Sequence, residues 1–469
     1  MKKLILLLAI VFLAPVKADV IHEISLLGQN LEINSTLILK SEEPLDYWEI
    51  SLPLPENTKL IEIRDSVGEI KYNLRGNILS FKTNPKKSRI KIVNIIYILP
   101  IENRYGFKSA TLSLFGFENE STTIVSPNFS YFFIPNIEIE YGKDIKAKGR
   151  GPLNVKILFG GKRESKHFFT SSDLNLSKLE EYYWILEGIT GIKIPVKFGV
   201  VTLSEEEYGE DFEEWSAGIF EEGMIVVRED LGEKEKIRTA MHEAAHGFNS
   251  FVLDWDNTKI AWFDEGIATY VSSVVSRLLN LTTPEIFGKE IKWREGNKIY
   301  YLEPYQEPED LGNYYKKEED WMLTWNPKKY SDHRREFGYA YSELFIREYL
   351  KDNPKRLHSV YKDLLEVDKK VEDEKERNKI ILNILGTNFT PCYSKNLEEI
   401  ENCTRELNEM SFKIPKVNGK EINYNVEIPE LPEIREEGKF EEVSYSIESI
   451  LQKIINFFDS LMKKILSLF

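Results

Sequence analysis

Only six of the 469 residues are histidine, and two of them stand four apart in His242-Glu243-Ala244-Ala245-His246. On a helix, residues i and i+4 lie one turn apart on one face, so both imidazoles can reach a single metal ion. The spacing predicts His242 and His246 as metal ligands, with Glu243 beside them projecting toward the same site. Eighteen residues separate His246 from Glu265, which lies within Trp262-Phe263-Asp264-Glu265-Gly266-Ile267-Ala268. A carboxylate on a second, packed helix completes a two-histidine, one-glutamate set, which holds one catalytic Zn2+ with its fourth position open for water. Ligating histidines usually donate their other N–H to a carboxylate or carbonyl, and Asp264 and Thr269 are the candidates here.

The positioning elements follow from periodicity. From Asp19 to about 170, short alternating or β-branched runs are separated by turn residues at roughly ten-residue spacing. Examples are Leu31-Glu32-Ile33, Trp48-Glu49-Ile50-Ser51-Leu52 and Ile90-Lys91-Ile92-Val93, broken by Pro53, Gly68, Gly76 and Pro85. They predict an all-β sandwich or saddle domain over 19–170 with no catalytic constellation. An α+β catalytic domain with a helical C-terminal part follows over 171–415. Its predicted helices are 175–191, one from near Glu233 burying Ile237, Met241, Ala244, Ala245, Phe248 and Val252, then 262–279, 333–350 and 357–385. Its predicted strands are 196–203 and 224–227. The segment 283–330 reads as irregular and aromatic, and either walls a cleft or covers the helices.

The H-E-x-x-H motif, the eighteen-residue gap and the W-x-x-E-G-x-A context together resemble the gluzincin zinc metallopeptidases, particularly the aminopeptidase N-like family. The motif covers about 239–270. The resemblance implies an N-terminal saddle followed by a thermolysin-like domain, and hydrolysis of peptide bonds with Glu243 as general base. It also implies a tyrosine that stabilises the oxyanion, which falls on Tyr339 in Tyr339-Ala340-Tyr341-Ser342, or else on Tyr341. Ser342 stands where the family has glycine, and the distance from Glu265 is longer. The family's substrate-amine anchor falls on Glu221 in Gly218-Ile219-Phe220-Glu221-Glu222-Gly223, although Phe220 and Glu222 replace the usual methionine and asparagine. A solvated acidic turn is the other reading of that segment.

Charge and targeting bound the partners. The formal charge is −15, with basic residues dispersed among acidic ones, which excludes nucleic acid as a partner. Peptide or unfolded protein is the expected substrate. Lys2 and Lys3 precede an apolar run over 4–13 and a small-residue site ending at Ala18, which predicts a signal peptide over 1–18 and a secreted, extracellular or cell-surface protein. In that compartment Cys392 and Cys403 are expected to pair as a disulfide. A Pro- and Glu-rich linker is predicted over 416–442. An amphipathic helix over 443–469 follows, whose apolar stripe needs a membrane surface, a second copy or the protein's own core. Two rivals to the peptidase remain open: a non-catalytic binding protein on the same scaffold, and a zinc hydrolase of a non-peptide substrate.

Overall fold

The computed structural model describes residues 16–279 apart from 128, 136, 138, 214 and 254–256. Beyond them it describes 281, 285–287, 290–295, 298–302, 321–329, 333–350, 355–367, 371, 373–386, 416–417 and 420–421. The first fifteen residues, both cysteines, most of the predicted linker and the C-terminal amphipathic segment lie outside these. Among the described residues no helix is long and apolar enough to cross a membrane.

The chain is multidomain, with a large β-rich N-terminal part and helices later. Strands β1 (Val16–Leu27), β2 (Asn30–Leu45), β4 (Lys59–Asp65), β7 (Ser88–Pro100), β10 (Ser121–Pro127), β12 (Ile139–Glu140) and β13 (Asp144–Arg150) form one seven-stranded sheet. Along β2 and β7 alternate residues are buried, the period-2 pattern of a sheet with one face on a core. A four-stranded sheet, β11 (Tyr131–Phe133), β14 (Leu153–Gly160), β9 (Phe107–Leu114) and β8 (Glu102–Arg104), faces two cores at once. Phe132, Val155, Ile157 and Phe159 enter the N-terminal core. Tyr131, Phe133 and Leu158 enter the core of the helical part, so this sheet is a wall common to both. Strand β1 begins at Val16, with Ala18 buried opposite Leu39; cleavage after Ala18 would remove its first three residues.

The later part opens with helix α1 (Leu176–Thr190), where Asn175 caps the start and Gly191 ends it in the left-handed conformation at φ 73°. A five-stranded sheet follows in the order β15 (Arg163–Glu164), β16 (Phe168–Thr170), β17 (Phe198–Leu203), β19 (Met224–Arg228), β18 (Gly218–Glu221). Helix α2 (Glu205–Asp211) lies between β17 and β18 in sequence. Helices α3 (Glu233–Leu253), α4 (Ala261–Leu278), α5 (Trp321–Thr324) and α6 (His333–Leu350) come next. Two helices, α7 (Arg356–Leu365) and α8 (Glu374–Leu385), replace the single one expected over 357–385. Asp373 caps α8 through a bond from the Glu376 N–H, so a new helix starts there.

The segment expected to be irregular contains a three-stranded meander, β20 (Glu285–Phe287), β21 (Glu290–Glu295) and β22 (Lys298–Leu302). The signal was present in the alternation of Ile291, Trp293 with Ile299, Tyr301 around Gly296-Asn297, a strong hairpin pattern. Trp325, one of its aromatics, is buried. It covers a helix: a Cβ on Gly338 would sit 1.9 Å from its ring, so only glycine admits α6 there.

His22 on β1 is buried, its ring nitrogens 2.8 Å from Ser35 Oγ and from the Phe115 carbonyl oxygen. Burial brings its pKa down to about 4. The folded state therefore holds the neutral ring, and the unfolded chain binds the extra proton below its ordinary value near 6.5. Stability is fully present above pH 6.5 and falls as pH drops toward 4, by up to about 3 kcal/mol. Urea unfolding at pH 7 and 4.5 should show a larger loss for the native chain than for His22→Gln; equal losses would refute this.

Candidate metal centre

Helix α3 carries His242, Glu243 and His246, and α4 carries Asp264 and Glu265, as the spacing predicts. Three ligand atoms from the two helices meet in a near-equilateral triangle. His242 Nε2 and His246 Nε2 are 3.2 Å apart, and Glu265 Oε2 lies 3.3 Å from the first and 3.4 Å from the second. Among the described residues this is the one group of three or more His, Cys, Asp or Glu side chains close enough to hold a metal ion. Zinc bound tetrahedrally at about 2.0–2.1 Å requires ligand–ligand edges of about 3.3–3.4 Å. Glu265 Oε2 is buried without a hydrogen-bond partner, an orphan that a cation would satisfy. The donor set and its spacing fit zinc.

Two glycines beside the ligands let other elements press closely on these helices. A Cβ on Gly247, next to His246, would sit 2.7 Å from the Phe198 ring, so α3 lies directly on the five-stranded sheet. A Cβ on Gly266, next to Glu265, would sit 2.7 Å from the Ser342 carbonyl oxygen, so α4 and α6 cross there. Each glycine admits the neighbour that packs on its helix beside the triangle.

Behind the triangle runs a buried hydrogen-bond chain. The His246 Nδ1–H donates to Asp264 Oδ2 at 2.8 Å, which turns the Nε2 lone pair toward the metal position. Asn249 Nδ2 donates to Asp264 Oδ1 at 2.6 Å, and the Tyr361 hydroxyl donates to Asn249 Oδ1. Asn249, Asp264 and Tyr361 are all buried. Asp264 thus takes the role proposed for it. Thr269 does not: its hydroxyl is buried and bonds none of these groups. Asn249 was legible in principle, being three residues beyond His246 on the same helix face, whereas Tyr361 on α7 carries no sequence signal that ties it to the site.

Electrostatics follow from this crowding. Burial raises the Glu243 carboxyl above its ordinary range, against the lowering effect of His242 and His246. Burial would also raise Glu265, but the adjacent His246 and His242 imidazoles outweigh it and bring that carboxyl to about 2. Burial disfavours a charged His246, yet Asp264 and Glu265 override it and raise its pKa well above the usual imidazole value. A metal ion at the triangle would compete with a proton on His246.

The remaining predicted residues are placed as follows. Tyr339 is half-buried on α6, edge-to-face on Trp325 with centroids 5.2 Å apart. It lies one turn before Ser342, which meets α4 at Gly266. The Tyr341 side chain is outside the described set. Strand β18 packs on α3 at Glu243: a Cβ on Gly218 would lie 3.2 Å from Glu243 Cγ. The acidic segment is a strand with a tight turn after it, Glu222 and Gly223 having φ of 50° and 91°. Glu221 at the strand's end is not part of the triangle, and Arg104 Nη1 lies 2.7 Å from its Oε2.

No protein-family model matches this sequence, and no curated protein is similar to it in sequence. Among solved structures, the chain is similar to the M1 zinc metallopeptidase from Deinococcus radiodurans. The identity is 12% and the TM-score 0.35, over 84% of this chain and 93% of that one. It is also similar to Legionella pneumophila aminopeptidase A in complex with aspartic acid. There the identity is 12% and the TM-score 0.36, over 79% of this chain and 48% of that one. Likenesses this distant leave the functional reading to the geometry of the site.

Removing the backing chain should loosen the metal without unfolding the protein. Asp264→Asn is expected to weaken zinc binding about 10–100-fold, and Tyr361→Phe by about 3–10-fold, measured by competition with a chromogenic chelator. Native zinc affinity in both variants would show that the chain only fills space.

Proposed function

We propose that this protein is a zinc metallopeptidase that hydrolyses peptide bonds with Glu243 as general base. The observation that carries this reading is the triangle of His242, His246 and Glu265, edge lengths 3.2–3.4 Å, with the buried Glu243 carboxylate next to it on α3. One zinc ion held by these three residues would supply an acidified water and a polarised carbonyl.

The chain's own groups do the rest. Glu243 is not a ligand, and its carboxylate accepts the proton of the attacking water and delivers it to the leaving amine nitrogen. Its burial favours the protonated form that the second half of this transfer needs. Asp264 holds His246 in one tautomer through the whole cycle. The Tyr339 hydroxyl is proposed as the donor to the developing oxyanion, on a helix whose crossing with α4 is fixed one turn away by Gly266 and Ser342. Strand β18 is the outer strand of its sheet, and its free edge beside Glu243 offers backbone groups to an extended peptide. That edge favours a peptide over other carbonyl substrates. Export is proposed from the 1–18 segment, and the sequence of the mature N-terminus would test it.

Glu243→Gln should retain stoichiometric zinc and lose nearly all turnover, on the order of 10³-fold or more, because an amide cannot accept the proton. His242→Ala, His246→Ala or Glu265→Ala should abolish stoichiometric zinc, read by native mass spectrometry. Tyr339→Phe should lower kcat about 10²-fold with little change in KM, as loss of a transition-state contact does. A fully active Glu243→Gln protein would overturn the mechanism.

A further inference from the structure

The charge at the end of the peptide-binding edge is already paired. Arg104 Nη1 lies 2.7 Å from Glu221 Oε2, and both side chains are about two-fifths exposed. The next acidic residue, Glu222, faces Lys156 at 3.6 Å. Both cations belong to the four-stranded wall, Arg104 closing β8 and Lys156 on β14, so the N-terminal part delivers positive charge to the tip of the β18–β19 hairpin.

Arg104 is held there by its surroundings. Arg104 pairs with Phe107 across a two-residue turn in which Tyr105 and Gly106 both have positive φ, 51° and 82°. That is the hairpin geometry that fixes strand register. The Tyr105 carbonyl accepts a bond from Ser171 Oγ at 2.7 Å, and its hydroxyl donates to Asp211. The Arg104 guanidinium carbon lies 5.3 Å from the Tyr105 ring centroid and 5.9 Å from that of Phe212, within range of cation–π attraction. Phe107 is buried in the core of the helical part. A guanidinium tethered in this way competes at an effective concentration of about millimolar or above.

A substrate α-ammonium that sought Glu221 would have to displace this tethered cation and approach against its like charge. Backbone pairing along β18 carries no such requirement, because it reads amide groups that every position of a peptide has. We propose that Arg104 closes Glu221 to substrate amines, so that this site takes peptides without regard to a free N-terminus, internal bonds and blocked peptides included. The proposal rests on the peptidase reading above and adds the substrate class.

The test uses the zinc-loaded full chain and two fluorogenic peptides that differ only in a free or acetylated N-terminus. Wild type is expected to hydrolyse them with kcat/KM values within about threefold of each other. R104M frees Glu221 and should raise the preference for the free amine about tenfold, chiefly through KM, as a charge-assisted contact would. R104K keeps the cation and should keep the wild-type ratio, and the R104M/E221Q pair should return to it. A wild-type preference for the free amine beyond about tenfold, or an R104M ratio equal to wild type, would overturn the proposal. Calorimetric binding of the same peptides to the zinc-loaded E243Q protein reads the ratio without turnover. Hydrolysis of neither peptide would therefore overturn the peptidase reading, while the binding ratio still decides the role of Arg104.

Discussion

Glu243, His246, Asp264 and Glu265 are largely withdrawn from water between a sheet and two helices, and offsetting their lost hydration governs how the helical part is built. An unpaired buried carboxylate would protonate or unfold its surroundings. Here Asp264 has His246 and Asn249 as partners, and Glu265 Oε2, which has no hydrogen bond, lies 3.3–3.4 Å from both imidazoles. A divalent cation at the triangle would complete this compensation, since three ligand atoms then share one positive centre.

That electrostatic demand is met by backbone geometry. Ligands on two helices reach a common point only if the helices pack tightly and their neighbours back them rigidly. Gly247 admits the sheet behind α3, and Gly266 admits α6 behind α4. Around these contacts Phe198, Phe220 and Phe248 pack with Ala244, Ala245 and Ile267 in one continuous core. The three side chains of the triangle are thus held by apolar packing around the helices that carry them.

The N-terminal part reaches this core through its four-stranded wall. Tyr131 packs against Phe198, and a Cβ on Gly223 would lie 2.7 Å from the Tyr131 ring. The β18–β19 hairpin beside the base is therefore seated on the N-terminal part. Charge follows the same route, with Arg104 and Lys156 meeting Glu221 and Glu222. The N-terminal part thus sets the charge around the tip of the β18–β19 hairpin.

The spacing of His242, His246 and Glu265 by itself pointed to the three side chains that meet in the triangle, because helix periodicity and the eighteen-residue gap are local properties of the chain. The same periodicity marked α1, α3, α4 and α6, the strands β17 and β19, and the β-rich character of the first part, since each element buries one face at its own period. Two further elements also carry local signals: the alternation in 285–302 forms a meander, and the Asp373 cap starts a separate helix. Tertiary structure alone decided the rest. Asn249 and Tyr361 join the site because α7, over a hundred residues later, packs its buried tyrosine onto α3. Glu221 meets Arg104 across 117 positions because a two-residue turn projects from another sheet. Contacts between distant segments leave no period or spacing in the sequence; they arise only when the apolar faces of those segments close on one another.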